Sequence, residues 1–317
     1  MKKISCVLFL LVGLVAGCAT APKENPVPDF RDSDPMIAQL SATARKAYDM
    51  GEVPRAVVMY RRALERARAM DNSREIGRNA HNLAVCLVSL DEYDEAAKLL
   101  VEAERETIRA GDDAGPIFLL SAEVARHRKD YRTADAIIDR LERLPVGDRT
   151  RGLAYVLRAH LACDRQDASR AEGFLYRAIG HLRRIDDPGL AASISEVAGR
   201  IAILKGNWLE AAREFDREAA WLHRAGRSME MAAALERAGQ NYMKIPQIDL
   251  AADRFYRSAR SLMAQGAYLD ALRVIEQAVQ STDEKHSDSE TAEAIARLFE
   301  DIRQSVEKSS RVGLGSP

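Results

Sequence analysis

Between Ile194 and Leu222, apolar side chains return at every third or fourth position: Ile194, Val197, Ile201 and Leu204 first, then Trp208, Ala211, Phe215, Ala219 and Leu222. That spacing places each set on one face of an α-helix and leaves the charged residues on the other. Gly206 interrupts the pattern between the two sets, so the segment predicts two amphipathic helices folded back on each other. Comparable breaks fall at Gly51, Asp91, Asp130, Asp167 and Pro246. The chain therefore reads as a succession of helical hairpins.

The hairpins share a signature. In DEYDEAAKLLVEAE, Tyr93 is followed by Ala96, Leu100 and Ala103, and in GNWLEAAREFDREA the same offsets hold Trp208, Ala211, Phe215 and Glu218. The pivotal alanine recurs at Ala56, Ala96, Ala134, Ala171, Ala211 and Ala251, with Tyr60, Leu100, Ile138, Leu175, Phe215 and Phe255 four residues after it. Twelve residues before each alanine stands another small residue: Ala44, Ala84, Ala122, Ala159, Gly199 or Gly239. Small side chains at a fixed separation let two antiparallel helices cross closely. Near the end the frame shortens, because Ala271, with Tyr268, Ile275 and Ala278, repeats the signature only 20 residues after Ala251. The helix over residues 250–264 is thus expected to be the second helix of one hairpin and the first of the next. A last amphipathic helix carrying Ala292, Ile295, Phe299, Ile302 and Val306 is expected to cover the exposed end, as terminal repeats require.

These phrases, above all NLA at 82–84 and AGRIAILKGNWLEAAREF at 198–215, resemble the tetratricopeptide repeat family over residues 36–281. The resemblance implies an all-α, right-handed solenoid of about six to seven helical hairpins over residues 36–306, closed by a C-terminal capping helix. The family's period is about 34 residues, whereas the alanines here are spaced by 40, 38, 37, 40 and 40. This is similar to the longer repeats of kinesin light chains and bacterial sensor proteins. The extra residues are expected between hairpins, in RAMDNSRE, RAGDDAGP and RIDDPGLA, where Asp, Asn and Ser can cap the next helix.

The amino terminus departs from the repeat pattern. Lys2 and Lys3 precede an apolar run from Ile4 to Leu14, broken only by Ser5 and Gly13. A spanning helix needs about 20 apolar residues, so this run is too short for a permanent anchor and reads as a secretory signal. Its end, LVAGCATAP, resembles the lipobox of bacterial lipoproteins, with Gly17 at the cut and Cys18 as the acceptor of a thioether-linked lipid. An ordinary secretory signal cut near Ala19 or Ala21, or a buried N-terminal helix, are the alternatives. On either secretory reading residues 1–17 are removed. Ala19 is not the aspartate that resembles an inner-membrane retention signal, which implies an outer-membrane lipoprotein facing the periplasm. Residues 18–35, with Pro22, Pro26, Pro28 and Pro35, read as a flexible tether of up to about 50 Å. Residues 307–317 read as a disordered tail.

Charge and cysteine content narrow the function. The chain holds 47 basic and 48 acidic residues; without Lys2 and Lys3 the formal charge falls from -1 to -3, which gives nucleic acid no electrostatic footing. Cys86 and Cys163 lie two repeats apart, too far for a disulfide, and are expected to be separate buried thiols. His160 and Cys163 share a helix face, but no second pair completes a four-ligand metal site. No nucleophile elbow, phosphate loop or carboxylate pair stands out, so neither a cofactor nor an enzymatic activity is expected.

What remains is a surface. In the repeat family the first helices line the concave groove, and the positions around each first small residue point into it. Carried onto this chain, the resemblance implies a partner-binding groove of Arg45, Tyr48, His81, Val85, Glu123, Arg126, His160, Cys163, Glu196, Arg200, Glu236 and Gln240. The Lys and Asn that clamp a peptide's terminal carboxylate in some family members are nearly absent. The chain is accordingly expected to be a lipid-anchored adaptor that holds a protein or peptide partner during envelope assembly or export, in pilus, outer-membrane or polysaccharide machinery. The alternative is a regulator or sensor of another envelope protein.

Overall fold

Fourteen helices follow one another through the described residues of the computed structural model, which are 34–245, 247–282 and 290–313, the side chains of 310–313 excepted. They are α1 (Pro35–Asp49), α2 (Val53–Ala69), α3 (Ser73–Val88), α4 (Tyr93–Arg109), α5 (Gly115–His127), α6 (Tyr131–Glu142), α7 (Asp148–Asp164), α8 (Ala168–Leu182), α9 (Pro188–Leu204), α10 (Trp208–Arg224), α11 (Ser228–Tyr242), α12 (Ile248–Ala264), α13 (Tyr268–Ser281) and α14 (Glu290–Gly313). No strand occurs among these residues. Residues 1–33, which hold Cys18, the expected signal segment and nearly all of the expected tether, lie outside the described residues, as does the break expected at Pro246.

One turn design recurs from junction to junction. A residue with left-handed φ closes the helix, and the N–H after it reaches back five residues, as Asn207 does to the Ala202 carbonyl at 2.9 Å and Asp167 to that of Ala162 at 2.9 Å. Gly51, Gly206 and Gly266 supply the left-handed φ without steric cost. Lys129 and Gln166 do the same at φ of 61° and 62° while carrying full side chains. The breaks expected at Asp130 and Asp167 are thus one residue late, for a reason: these aspartates cap the next helix, accepting from the N–H of Thr133 and Arg170. The extra residues of the long period are mostly helical. Only residues 70–72, 110–114, 143–147, 183–187 and 225–227 separate successive hairpins up to α11, and second helices such as α2, α4 and α10 extend to 17 residues.

Each hairpin is held by its small residue. A Cβ added at Gly199 on α9 would lie 2.9 Å from the Phe215 ring on α10, and one at Gly239 on α11 would lie 2.8 Å from Phe255 on α12. In the earlier hairpins Ala44, Ala84, Ala122 and Ala159 are fully buried at the same position. The first helices α1, α3, α5, α7 and α9 also pack directly on one another in series, whereas the second helices chiefly reach the first helix that follows. The closer spacing puts the first helices on the inside of the curve.

Polar contacts recur from one hairpin to the next. Arg68 pairs with Glu102 and Arg61 with Glu95, each 34 residues on, while Arg74 pairs with Asp112 and Arg109 with Asp71 across 38. At the end of the array α12 packs against α11, α13 and α14, the double role its spacing implies. Ile295 and Ile302 of α14 are fully buried, with Leu298 beside them and Phe299 and Val306 half-buried, so α14 covers the last apolar face. It continues through residues 307–313, which the sequence pattern had assigned to a tail.

Candidate partner-binding face on the first helices

The predicted groove positions lie on consecutive first helices. Arg45 on α1 is exposed, and the Tyr48 hydroxyl lies 3.1 Å from that of Ser89 at the end of α3. His81 and Val85 on α3 are half-buried, and burial pushes the His81 imidazole below its ordinary pKa. Glu236 on α11 accepts from Arg273 and Gln277 of α13 and from the exposed Gln240.

Between these ends the side chains join into a chain of charges crossing four hairpins. Arg126 donates to Glu123 at 2.6 and 3.0 Å and to Asp164 on α7 at 3.1 Å. The other Asp164 oxygen accepts from Arg200 on α9 at 2.6 Å. Arg200 also donates to Nδ1 of His160 at 2.5 Å, and His160 Nε2 faces Glu196 at 3.9 Å. From Glu196 the series passes to Arg237 on α11 at 3.3 Å, and Arg237 donates to Glu218 on α10 at 2.7 Å. At the opposite end His127 bonds to Glu123 at 3.0 Å and stacks on the Tyr93 ring, with centroids 4.9 Å apart.

The electrostatics follow from this sharing. Burial alone would raise the Glu123 carboxyl, but the bonds from His127 and Arg126 hold it well below the usual range, and Asp164 is held low by its two arginines against the same penalty. Arg126 is pushed up by Glu123 and Asp164. His160 goes the other way: burial drives it down to about 4. At Glu218 burial outweighs the attraction of Arg237 and lifts the carboxyl to about 8. Glu218 Oε2 and Arg237 Nε are buried with no hydrogen-bond partner, so this last link is the least satisfied.

Two predicted groove residues do not face a groove. His160 and Cys163 are buried, with His160 beneath Arg200 and Glu196, where its role is to position Arg200. Cys86 and Cys163 are separate free thiols, both pushed up by burial, Cys86 to about 11. Four contributors escape the position rule: Asp164, Arg237, His127 and Glu218. A signal for the first was present, since Arg126 and Asp164 are opposite charges 38 residues apart, one repeat period.

Arg126 and Asp164 are only 14% and 15% exposed, while Glu196, Arg200 and Arg237 reach 32%, 27% and 35%. The face therefore offers donors and acceptors of both signs on a scaffold whose charges already balance. No cluster of three metal-capable side chains occurs among the described residues, and no described helix is long and apolar enough to cross a membrane.

No protein-family model matches the chain, and no curated protein matches it. Solved structures do resemble it. A Rap protein complexed with competence and sporulation factor is 15% identical, with 86% of this chain and 98% of that one covered at a TM-score of 0.50. A signal-transduction ATPase with a tetratricopeptide repeat sensor from Pyrococcus horikoshii is 14% identical, covering 84% and 46% at 0.49. A tetratricopeptide repeat protein from Parabacteroides merdae is 13% identical, covering 84% and 99% at 0.42. At these identities the likeness concerns the fold alone: the chain is an all-α solenoid of helical hairpins, with an architecture similar to that of the Rap protein.

Proposed function

We propose that the protein is a lipid-anchored adaptor, facing the periplasm from the outer membrane, whose first-helix face holds an extended segment of a partner protein during envelope assembly or export. The observation that carries the binding role is the continuous run of partly exposed, mixed-sign groups from Glu123 to Arg237, fixed in place by contacts between neighbouring hairpins. Side chains held rigidly before binding lose little entropy on contact, which favours an interaction surface. The Rap protein's complex with competence and sporulation factor supports the idea that this architecture can hold a partner. The anchor rests on Cys18 and its flanking residues alone.

Two experiments test the two halves. Cys18→Ser should move the protein from the membrane fraction to the soluble periplasm; unchanged membrane recovery overturns the anchor. A photo-crosslinking residue at Gln240 or Arg200 should capture a cell-envelope protein, with no capture from Tyr176, which is 72% exposed on α8. Capture from position 176 alone overturns the first-helix assignment.

A further inference from the structure

A second recess lies on the far side of the array. It runs between the second helices α10 and α12, which are bridged by the Arg254–Asp216 pair, and α11 forms its floor through Met231 and Leu235. With 3.6 residues per turn, Leu235 projects from the side of α11 opposite Arg237, so this recess and the polar face described above are separate surfaces. Its volume is about 820 Å³. Along α12 it extends from Arg254 to Ala264, roughly 15 Å at about 1.5 Å per residue. That length matches four or five residues of extended chain at roughly 3.3 Å each.

The walls are unequal in charge. Arg254 is already neutralised: it donates to Asp216, which also accepts from the Tyr242 hydroxyl, and it contacts Asp253. Among the described residues Arg257 has only Asp253, at 3.8 Å. Arg260 meets no carboxylate among the described residues and lies 5.5 Å over the Tyr256 ring. With two of its three arginines so placed, the recess keeps a surplus of positive charge over an apolar floor, and exposed His223 lines the α10 wall. A bilayer cannot reach that floor, because Leu235 is buried and Met231 half-buried at the bottom of the recess. A single side chain can.

We propose that this recess is a second binding site, for an acidic, extended segment of a protein partner. Alternate side chains of a strand point to opposite sides, so one or two apolar side chains would enter toward Met231 and Leu235 while carboxylates flanking them meet Arg257 and Arg260. Arginine suits this role through its planar, multi-donor guanidinium.

The test uses the folded chain from residue 19 onward and a dye-labelled peptide of alternating glutamate and leucine, read by fluorescence anisotropy. Binding should weaken at least tenfold in the double variant Arg257→Gln, Arg260→Gln, and also when glutamine replaces glutamate in the peptide. Arg257 and Arg260 are exposed, so the double variant should keep the parent helical circular dichroism and melting temperature. A separate variant, Leu235→Ala, reports on the floor and should weaken binding of the leucine peptide but not of one with serine in place of leucine. Absence of peptide binding overturns the site, as does equal binding by the arginine variant, or a loss caused by Arg200→Gln on the other face. Binding to phosphatidylglycerol vesicles instead of the peptide, lost in the arginine variant, assigns the arginines to a membrane and also overturns it.

Discussion

Arg200 donates to Nδ1 of His160 at 2.5 Å, which places the imidazole proton on Nε2, facing Glu196. The bond requires a neutral ring, in agreement with a pKa driven down to about 4 by burial. The unfolded ring titrates near 6.5. The folded state therefore refuses a proton that the unfolded chain accepts, and the stability present above pH 6.5 is lost as pH falls toward 4. By pH 5 the loss amounts to about 2 kcal/mol. His160→Gln should flatten the acid limb of a urea-midpoint profile measured from pH 7 to 4.5. Arg200→Gln should raise the His160 pKa read by NMR, since Arg200 lowers it. An unchanged profile in the first variant removes His160 from the acid response.

Glu218 has the opposite sign. Its folded pKa is raised to about 8 by burial, above the roughly 4.3 of an unfolded glutamate. The protonated form is the one the fold accommodates, so stability is lost as pH rises from the unfolded value through the folded one. Glu218→Gln keeps an acceptor for Arg237 without the charge. Its melting temperature relative to the parent should be more favourable at pH 8 than at pH 5, and a pH-independent difference refutes the assignment.

The Gly199 and Gly239 contacts with Phe215 and Phe255 leave no room for a methyl group. Gly199→Ala should destabilise the protein by about 1–3 kcal/mol, despite alanine's better helix propensity. Combining it with Phe215→Leu, which removes the ring edge, should recover part of that loss in denaturant titrations. Additive losses would mean that the two positions do not meet.

The crossing geometry was the part most legible in the sequence, because a repeat writes the same steric requirement six times and the small residues stand out at constant offsets. Ala44 and Ala84 could be placed at crossings for that reason. The hairpin turns were legible where glycine marks them, as at Gly51 and Gly206. They were misplaced by one residue at Lys129 and Gln166, where a long polar side chain hides the left-handed backbone. The polar face was half legible. Position rules located Glu123, Arg126, Glu196 and Arg200, but no rule could say that His160 turns inward or that Glu218, from a second helix, joins the series. Those outcomes depend on which side chains are long enough to bridge neighbouring hairpins, and that is settled only by packing.

Gln166 has a φ of 62°, a conformation that costs a side-chain-bearing residue about 1 kcal/mol. Gln166→Gly should raise the unfolding free energy by about 0.5 kcal/mol, the strain relieved exceeding the entropy glycine adds to the unfolded chain. The mirror change, Gly206→Gln at φ 71°, should lower it. Thermal melts of the pair decide the matter, and the same sign for both would exclude backbone strain as the cause.

Asp164 joins three hairpins. One of its oxygens is tied to Arg126 in the preceding hairpin and the other to Arg200 in the following one. A tension applied along the first-helix face passes through both ties in series. The fourth hairpin is thus a coupling link in the curved array: releasing either oxygen slackens both neighbours at once and lets the curve open there.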